Sequence, residues 1–149
     1  MKKIFLLLLT FVFVISCSST QNVKNIRGVE WKLIKVHTDN ADISFDRDML
    51  SAESASEIFT LNFDAQNISG MGAPNRYSAP YSLGRGQSIS ISVIRSTLMA
   101  SLWQPERLRE HDFFVYMQNA YEWRLSNNNT LELTSKDENG DKVTLVFSL

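Results

Sequence analysis

The chain has 149 residues, a formal net charge of −1, 44% hydrophobic and 21% charged residues, and one cysteine. That length predicts a single domain, and one thiol excludes an internal disulfide framework. No basic run or Arg-rich segment supports a nucleic-acid partner.

Residues 1–16 read as an export signal. Lys2 and Lys3 give a positive start, Ile4 to Ile15 is apolar except for Thr10, and Ser16-Cys17 closes the stretch. A basic start, a short apolar run and a small residue before the cut mark a secretory signal. The apolar run is shorter than the roughly 20 residues a spanning helix needs. Val14-Ile15-Ser16-Cys17 is similar to the bacterial lipobox, in which a small residue precedes a cysteine that is diacylated and becomes the mature N-terminus. Cys17 is the only cysteine and stands where lipidation needs it. Each buried methylene contributes about 0.8 kcal/mol, so several acyl tails anchor a protein that one tail would not. Residues 17–27 then form a lipidated cysteine and polar tether, and 28–149 the folded domain. With Lys2 and Lys3 set aside, 13 Lys and Arg face 16 Asp and Glu, a mature charge of −3.

Val29 to Val36 alternates apolar and polar residues with one slip at Leu33-Ile34, which predicts a strand bulged where its phase changes. Thr38 to Ser56 is polar and acidic and reads as a long loop. Glu57 to Asp64 alternates cleanly and puts Phe59, Leu61 and Phe63 on one face. Asn67 to Pro80, holding Gly70, Gly72, Pro74 and Pro80, reads as loop. Ser88 to Val93 alternates again, with Ile89, Ile91 and Val93 on the apolar side. Both alternating segments predict half-buried antiparallel strands.

Pro105 suits the first position of a helix, and the spacing predicts one amphipathic helix of about four turns from there to Asn119. The last third predicts a meander of three strands. Tyr121, Trp123, Leu125, Leu131, Leu133, Val143, Leu145 and Phe147 are all odd-numbered, so paired residues must have even sums to share one face. A two-residue Asn139-Gly140 turn breaks that parity. A three-residue loop, Glu138 to Gly140, pairs Asp137 with Asp141, restores it, and gives Gly140 the left-handed position. The same parity sets Ser126 opposite Thr130 and Arg124 opposite Glu132.

In order along the chain, Trp31-Lys32-Leu33, Phe59 to Phe63, Ile68-Ser69-Gly70, Asn75-Arg76-Tyr77-Ser78 with Tyr81, Ile89-Ser90-Ile91 and Thr97 to Ala100 precede a helix and a strand-turn-strand ending. This order resembles the META domain family of HslJ-like bacterial lipoproteins, over nearly all of the mature chain. The resemblance implies a mainly β (α+β) fold, a curled antiparallel sheet or open, cracked β-barrel crossed by one helix. It also implies a non-enzymatic envelope protein linked to stress tolerance, motility or secretion. Many members carry Gly-Cys-Asn where this chain has Ala73-Pro74-Asn75, and a second cysteine where it has Ser101. The absence of both here speaks against a redox role.

Asn75, Arg76 and Tyr77, with Arg95, Ser96 and Thr97, form the best candidate site. One reading makes them a partner-binding edge. The other is structural: Asn75 bonds loop backbone, Arg76 meets a carboxylate and Tyr77 covers the core. Other constellations are poor. His37 and His111 have no metal-ligand spacing and read as surface residues. No Gly-x-Ser-x-Gly is present. Asp137 to Asp141 has its glycine misplaced for a calcium loop and reads as a hairpin turn. Asp46-Arg47-Asp48 reads as solvated loop. The aromatic residues Trp31, Phe59, Phe63, Trp103, Phe113, Tyr121 and Trp123 are expected in the core, or lining an apolar groove if the barrel is open.

The sequence therefore predicts a monomeric, lipid-anchored envelope protein without cofactor or metal, held at the outer rather than the inner membrane because Ser18, not Asp, follows the cysteine. Its expected partner is an envelope protein or a lipid. A pilot-type chaperone with a groove for an acyl chain or peptide, and a hydrolase with an unrecognised site, are the alternatives.

Overall fold

The computed structural model describes residues 25–53, 55–100, 104–127 and 129–149. The predicted signal, Cys17, Trp103 and Ser101 lie outside them. Packing begins earlier than the predicted boundary at Gly28. Ile26 is fully buried, its carbonyl accepts the Trp31 indole N–H at 3.0 Å, and Arg27 bridges to Phe63.

Ten strands form one antiparallel sheet. They are β1 (Glu30–Thr38), β2 (Asp42–Ser44), β3 (Thr60–Phe63), β4 (Asn67–Met71), β5 (Arg76–Leu83), β6 (Ile89–Ile91), β7 (Arg95–Ser96), β8 (Glu122–Ser126), β9 (Thr130–Lys136) and β10 (Lys142–Ser148). The order is β6-β5-β4-β3-β1-β10-β9-β8, with β2 added on β1 and β7 on β5. The two ends nearly meet. Ser88 bridges Glu122, Ile89 N–H donates to the Tyr121 carbonyl at 3.1 Å, and Trp123 N–H donates to Gln87 at 2.8 Å. The result is the barrel-like, mainly β fold the resemblance implies.

The bulge sits where the apolar phase slips. β1 pairs Leu33 with Phe147 but Lys35 with Val146, leaving Ile34 unpaired in that ladder. Carbonyls turned out by the bulge find other donors: Phe45 N–H reaches the Ile34 carbonyl at 2.9 Å, and Arg47 reaches that of Leu33. The C-terminal meander has the register parity demands, with Lys136 opposite Lys142, Leu133 opposite Leu145, Ser126 opposite Thr130 and Arg124 opposite Glu132. Gly140 has φ +90°, and Arg124 and Glu132 form an ion pair at 2.6 Å. Tyr121, expected on the buried face, is exposed.

Four expectations need correction. The segment from Thr38 to Ser56 is not a loop: β2 pairs with β1, and α1 (Arg47–Ala52) follows, its first amides held by the Asp46 carboxylate. Short elements with one or two buried residues leave no periodic signal to read. The segment from Asn67 to Pro80 is largely the β4–β5 hairpin. Gly70 there is not a turn residue. A Cβ at this position would lie 2.1 Å from the Thr60 carbonyl oxygen, so the strand needs glycine for a close approach. The helix predicted from Pro105 is split. A 3-10 turn (Pro105–Arg107) ends in positive φ at Glu106 and Arg107, Leu108 is extended and buried, and α2 covers only Glu110–Gln118. Finally, Val93 does not join Ile89 and Ile91 inside, because β6 ends at Ile91.

The interior is filled. Trp31, Trp123, Phe59, Phe63, Phe147 and Leu61 are buried, as small barrels require. Phe113 and Met117 of α2 are fully buried in this core, with the Phe113 ring 5.0 Å from Phe59 and 5.8 Å from Tyr77. The helix touches β6 on one side and β9 on the other, spanning the parting of the sheet.

Candidate functional site

The residues singled out in the sequence are brought together, since β7 pairs with β5 through Tyr77–Ser96 and Ser78–Arg95. They divide into two groups with different work. Asn75 and Tyr77 face inward. Asn75, 4% exposed, uses its whole amide: Nδ2 donates to the Met99 carbonyl at 3.0 Å and to Glu110 Oε2 at 2.6 Å, while Oδ1 accepts from Thr97 Oγ1 at 2.8 Å and Met99 N–H at 2.7 Å. Glu110 Oε1 accepts the amides of Ala73 (2.7 Å) and Asn75 (2.6 Å), across a cis Ala73–Pro74 bond. Sequence reading missed Glu110, which carries no local motif and meets its partners 35 residues away. Tyr77, 3% exposed, donates to the Thr60 carbonyl at 2.7 Å, and burial pushes its phenol well above the ordinary range. Both side chains brace the site from within: the Asn75 amide has its donors and acceptor occupied, and the Tyr77 hydroxyl donates inward from a residue that also lines the hollow between β5 and β7.

Arg76, Arg95 and Thr97 are exposed. Along a strand, alternate residues share a face. Arg76 and Ser78 on β5 thus share a face with Arg95 on β7 and Thr97 just after it, and Arg95 lies directly opposite Ser78. Thr97 is fixed by the network beneath: its hydroxyl accepts Arg76 N–H at 3.2 Å, and its own N–H donates to the Arg76 carbonyl at 3.0 Å. Neither guanidinium meets a carboxylate among the described residues, contrary to the structural expectation for Arg76; the ion pairs of this chain lie elsewhere. A shallow hollow of about 300 Å³ lies between them, and a polar groove of about 380 Å³ adjoins it over Gly70, bordered by Glu30, Glu57 and Asn62.

Several titratable residues elsewhere are engaged in surface pairs or in backbone support. His37 lies 2.6 Å from Asp42, and this hydrogen bond holds the Asp42 carboxyl below its usual range. His111 lies 3.0 Å from Glu138. Arg47 is not in a solvated loop. Its guanidinium donates to the carbonyls of Ile58 (2.9 Å), Phe59 (3.3 Å) and Leu33, and burial lowers its pKa to about 10. The Asp137 carboxylate accepts the amides of Asn139 (2.8 Å) and Asp141 (2.9 Å), as a hairpin turn requires. Among the described residues no group of three His, Cys, Asp or Glu side chains could hold a metal ion. No described helix is long and apolar enough to cross a membrane.

A small antiparallel barrel, filled by its own aromatic side chains, split along one side and plugged there by a helix, defines the class of protein. The model of the META domain matches residues 24–148, and the chain belongs to the META domain family. Two solved structures share the fold. One is the NMR structure of a protein from Burkholderia xenovorans, 18% identical, with 84% of this chain and 85% of that one covered and a TM-score of 0.55. The other is the crystal structure of a DUF4847 family protein from Bacteroides vulgatus, 13% identical, with 83% and 93% covered and a TM-score of 0.55. A comparison with curated proteins finds no match.

Proposed function

We propose that this protein is a lipid-anchored lipoprotein of the bacterial envelope whose META domain works by binding rather than catalysis. The observation that carries the binding reading is the outward face of β5 and β7. Two guanidiniums with no ion-pair partner among the described residues stand there, on a backing braced by the Asn75–Glu110 network. Exposed cations without a partner among the described residues contribute little to folding and are free to meet an external anion. The anchor reading rests on the sequence: a basic, then apolar, N-terminal stretch ending at the only cysteine. An outer-membrane position follows from Ser18 after that cysteine. Against a groove-based chaperone stands the barrel interior, whose space Trp31, Phe59, Phe63 and Phe113 occupy. Against a hydrolase, neither histidine meets a serine or threonine hydroxyl among the described residues: His37 bonds Asp42 and His111 bonds Glu138.

Intact-mass measurement of the protein from membranes tests the anchor. The expected mass is that of a chain beginning at Cys17 with acyl groups attached, and a Cys17→Ser chain should leave the membrane fraction. An unmodified mass would overturn the anchor. Crosslinking in intact cells, with and without Arg76→Glu, tests the binding face: adducts that persist undiminished in the variant would place the contact elsewhere.

A further inference from the structure

We propose that the wall formed by β5 and β7 is a docking surface for an anionic lipid bilayer, with Arg76 and Arg95 gripping headgroup phosphates. The inference rests on the membrane-anchored reading above and names the partner of that same face.

Four observations converge on a lipid surface. The first is the cation pair. Arg76 is opposite Thr97 and Arg95 opposite Ser78, so the two arginines occupy diagonal positions, about 7–8 Å apart in such a ladder. Both side chains can reach one phosphate or two adjacent ones, and guanidinium forks suit phosphate oxygens. The second is apolar. In the stretch that carries Arg95, Val93 is 70%, Leu98 97% and Met99 62% exposed. Arginine beside exposed aliphatic side chains is the composition that seats a segment between headgroup and acyl chain. A free anion or an acidic peptide would use the arginines and leave those side chains unexplained.

The third observation is the attachment point. The Arg27 side chain, where the chain enters the domain, donates to the Tyr81 hydroxyl at 3.0 Å, and Tyr81 is on β5. Residues 18–24 reach at most about 25 Å, close to the ~27 Å length of an eight-residue strand such as β5. The tether therefore allows this wall to lie flat on the membrane. The fourth is charge distribution. The mature chain carries −3 overall, so the Arg76–Arg95 pair offers an anionic bilayer a local attraction that the net charge does not. Glu30 and Glu57 border the groove beside Arg76 without pairing to it.

The test uses hydrogen exchange read by mass spectrometry. The processed protein is reconstituted in vesicles of phosphatidylcholine alone or mixed with phosphatidylglycerol. Residues 76–78 and 93–99 should exchange more slowly on the anionic vesicles, by up to about fivefold for each arginine engaged. The variant R76E/R95E should lose the difference while β9 and β10 keep their protection, which shows that it folds. Equal exchange on the two vesicles would overturn the proposal. So would equal slowing when inorganic phosphate or a poly-glutamate peptide is added to phosphatidylcholine vesicles, since the site would then serve a free anion or an acidic protein. A Cys17→Ser chain mixed with the same vesicles separates the two readings. Slowing that depends on phosphatidylglycerol in that chain upholds docking even if the mass measurement finds no acyl group.

Discussion

At the scale of single residues, the candidate site divides by whether a side chain's hydrogen-bonding capacity is spent. Asn75 has all of it engaged, one bond to an ionised partner, and bonds to charged groups contribute about 1.5–3 kcal/mol each. Asn75→Ala should therefore lower unfolding free energy by about 3 kcal/mol in urea titration, whereas Arg76→Ala should change it by less than about 0.5 kcal/mol. Asp64 supplies a pH effect. Its carboxylate accepts the amides of Asn67 (2.6 Å) and Gln66 (2.7 Å), which hold its pKa below the usual range. A depressed folded pKa gives stability that is present above the unfolded value, near pH 4, and is lost as pH falls through the folded one. Asp64→Asn should unfold at lower temperature than the wild type at neutral pH, and the gap in Tm should narrow as pH falls below 4; a gap constant with pH would refute this assignment. The sequence pointed to Asn75, Arg76 and Tyr77 together because they stand among glycines and prolines. It could not sort them, because inward or outward direction depends on β7 and α2, whose residues lie 20 to 35 positions away.

At the scale of elements, legibility followed the length of the repeating pattern. The β8–β9–β10 register was readable because seven of the eight odd-numbered apolar side chains, all but Tyr121, share one buried face, and a three-residue loop preserves that parity where a two-residue one does not. The bulge in β1 was readable from a single phase slip. β2 and α1 were not, since three and six residues repeat their period less than twice, too little to show a pattern. The helix start was misread because Pro105 opens a tight turn as readily as a helix, and burial of Leu108 pulls the chain out of helical geometry before α2 begins. Gly70 stands where the sequence reads as loop, yet it serves strand packing. Gly70→Ala would force a Cβ into the Thr60 carbonyl and against the Tyr77 ring. A loss of about 3 kcal/mol in unfolding free energy is expected, from backbone that must shift.

At the scale of the whole molecule, α2 makes a parted sheet into a closed core. β6 and β8 share few hydrogen bonds, so the seam depends on Phe113 and Met117 beneath it. Phe113→Ala should destabilise the domain by about 4 kcal/mol. Hydrogen exchange should accelerate first at Ile89 and Trp123, whose amides bridge the seam; uniform acceleration across all strands would show that the helix does not hold it. The curl of the sheet into a barrel was expected from the family resemblance, whereas periodicity gave the antiparallel strands and one helix but not how they close. The position of β1 has its own outcome. This strand lies between β3 and β10, so the first long strand of the domain is zipped along its length to the last one. A ribosome must deliver over a hundred further residues before β1 gains that flank. Any product cut short before Lys142 leaves the middle of the sheet bare, and quality-control proteases can tell the unfinished polypeptide from the finished one by that gap alone.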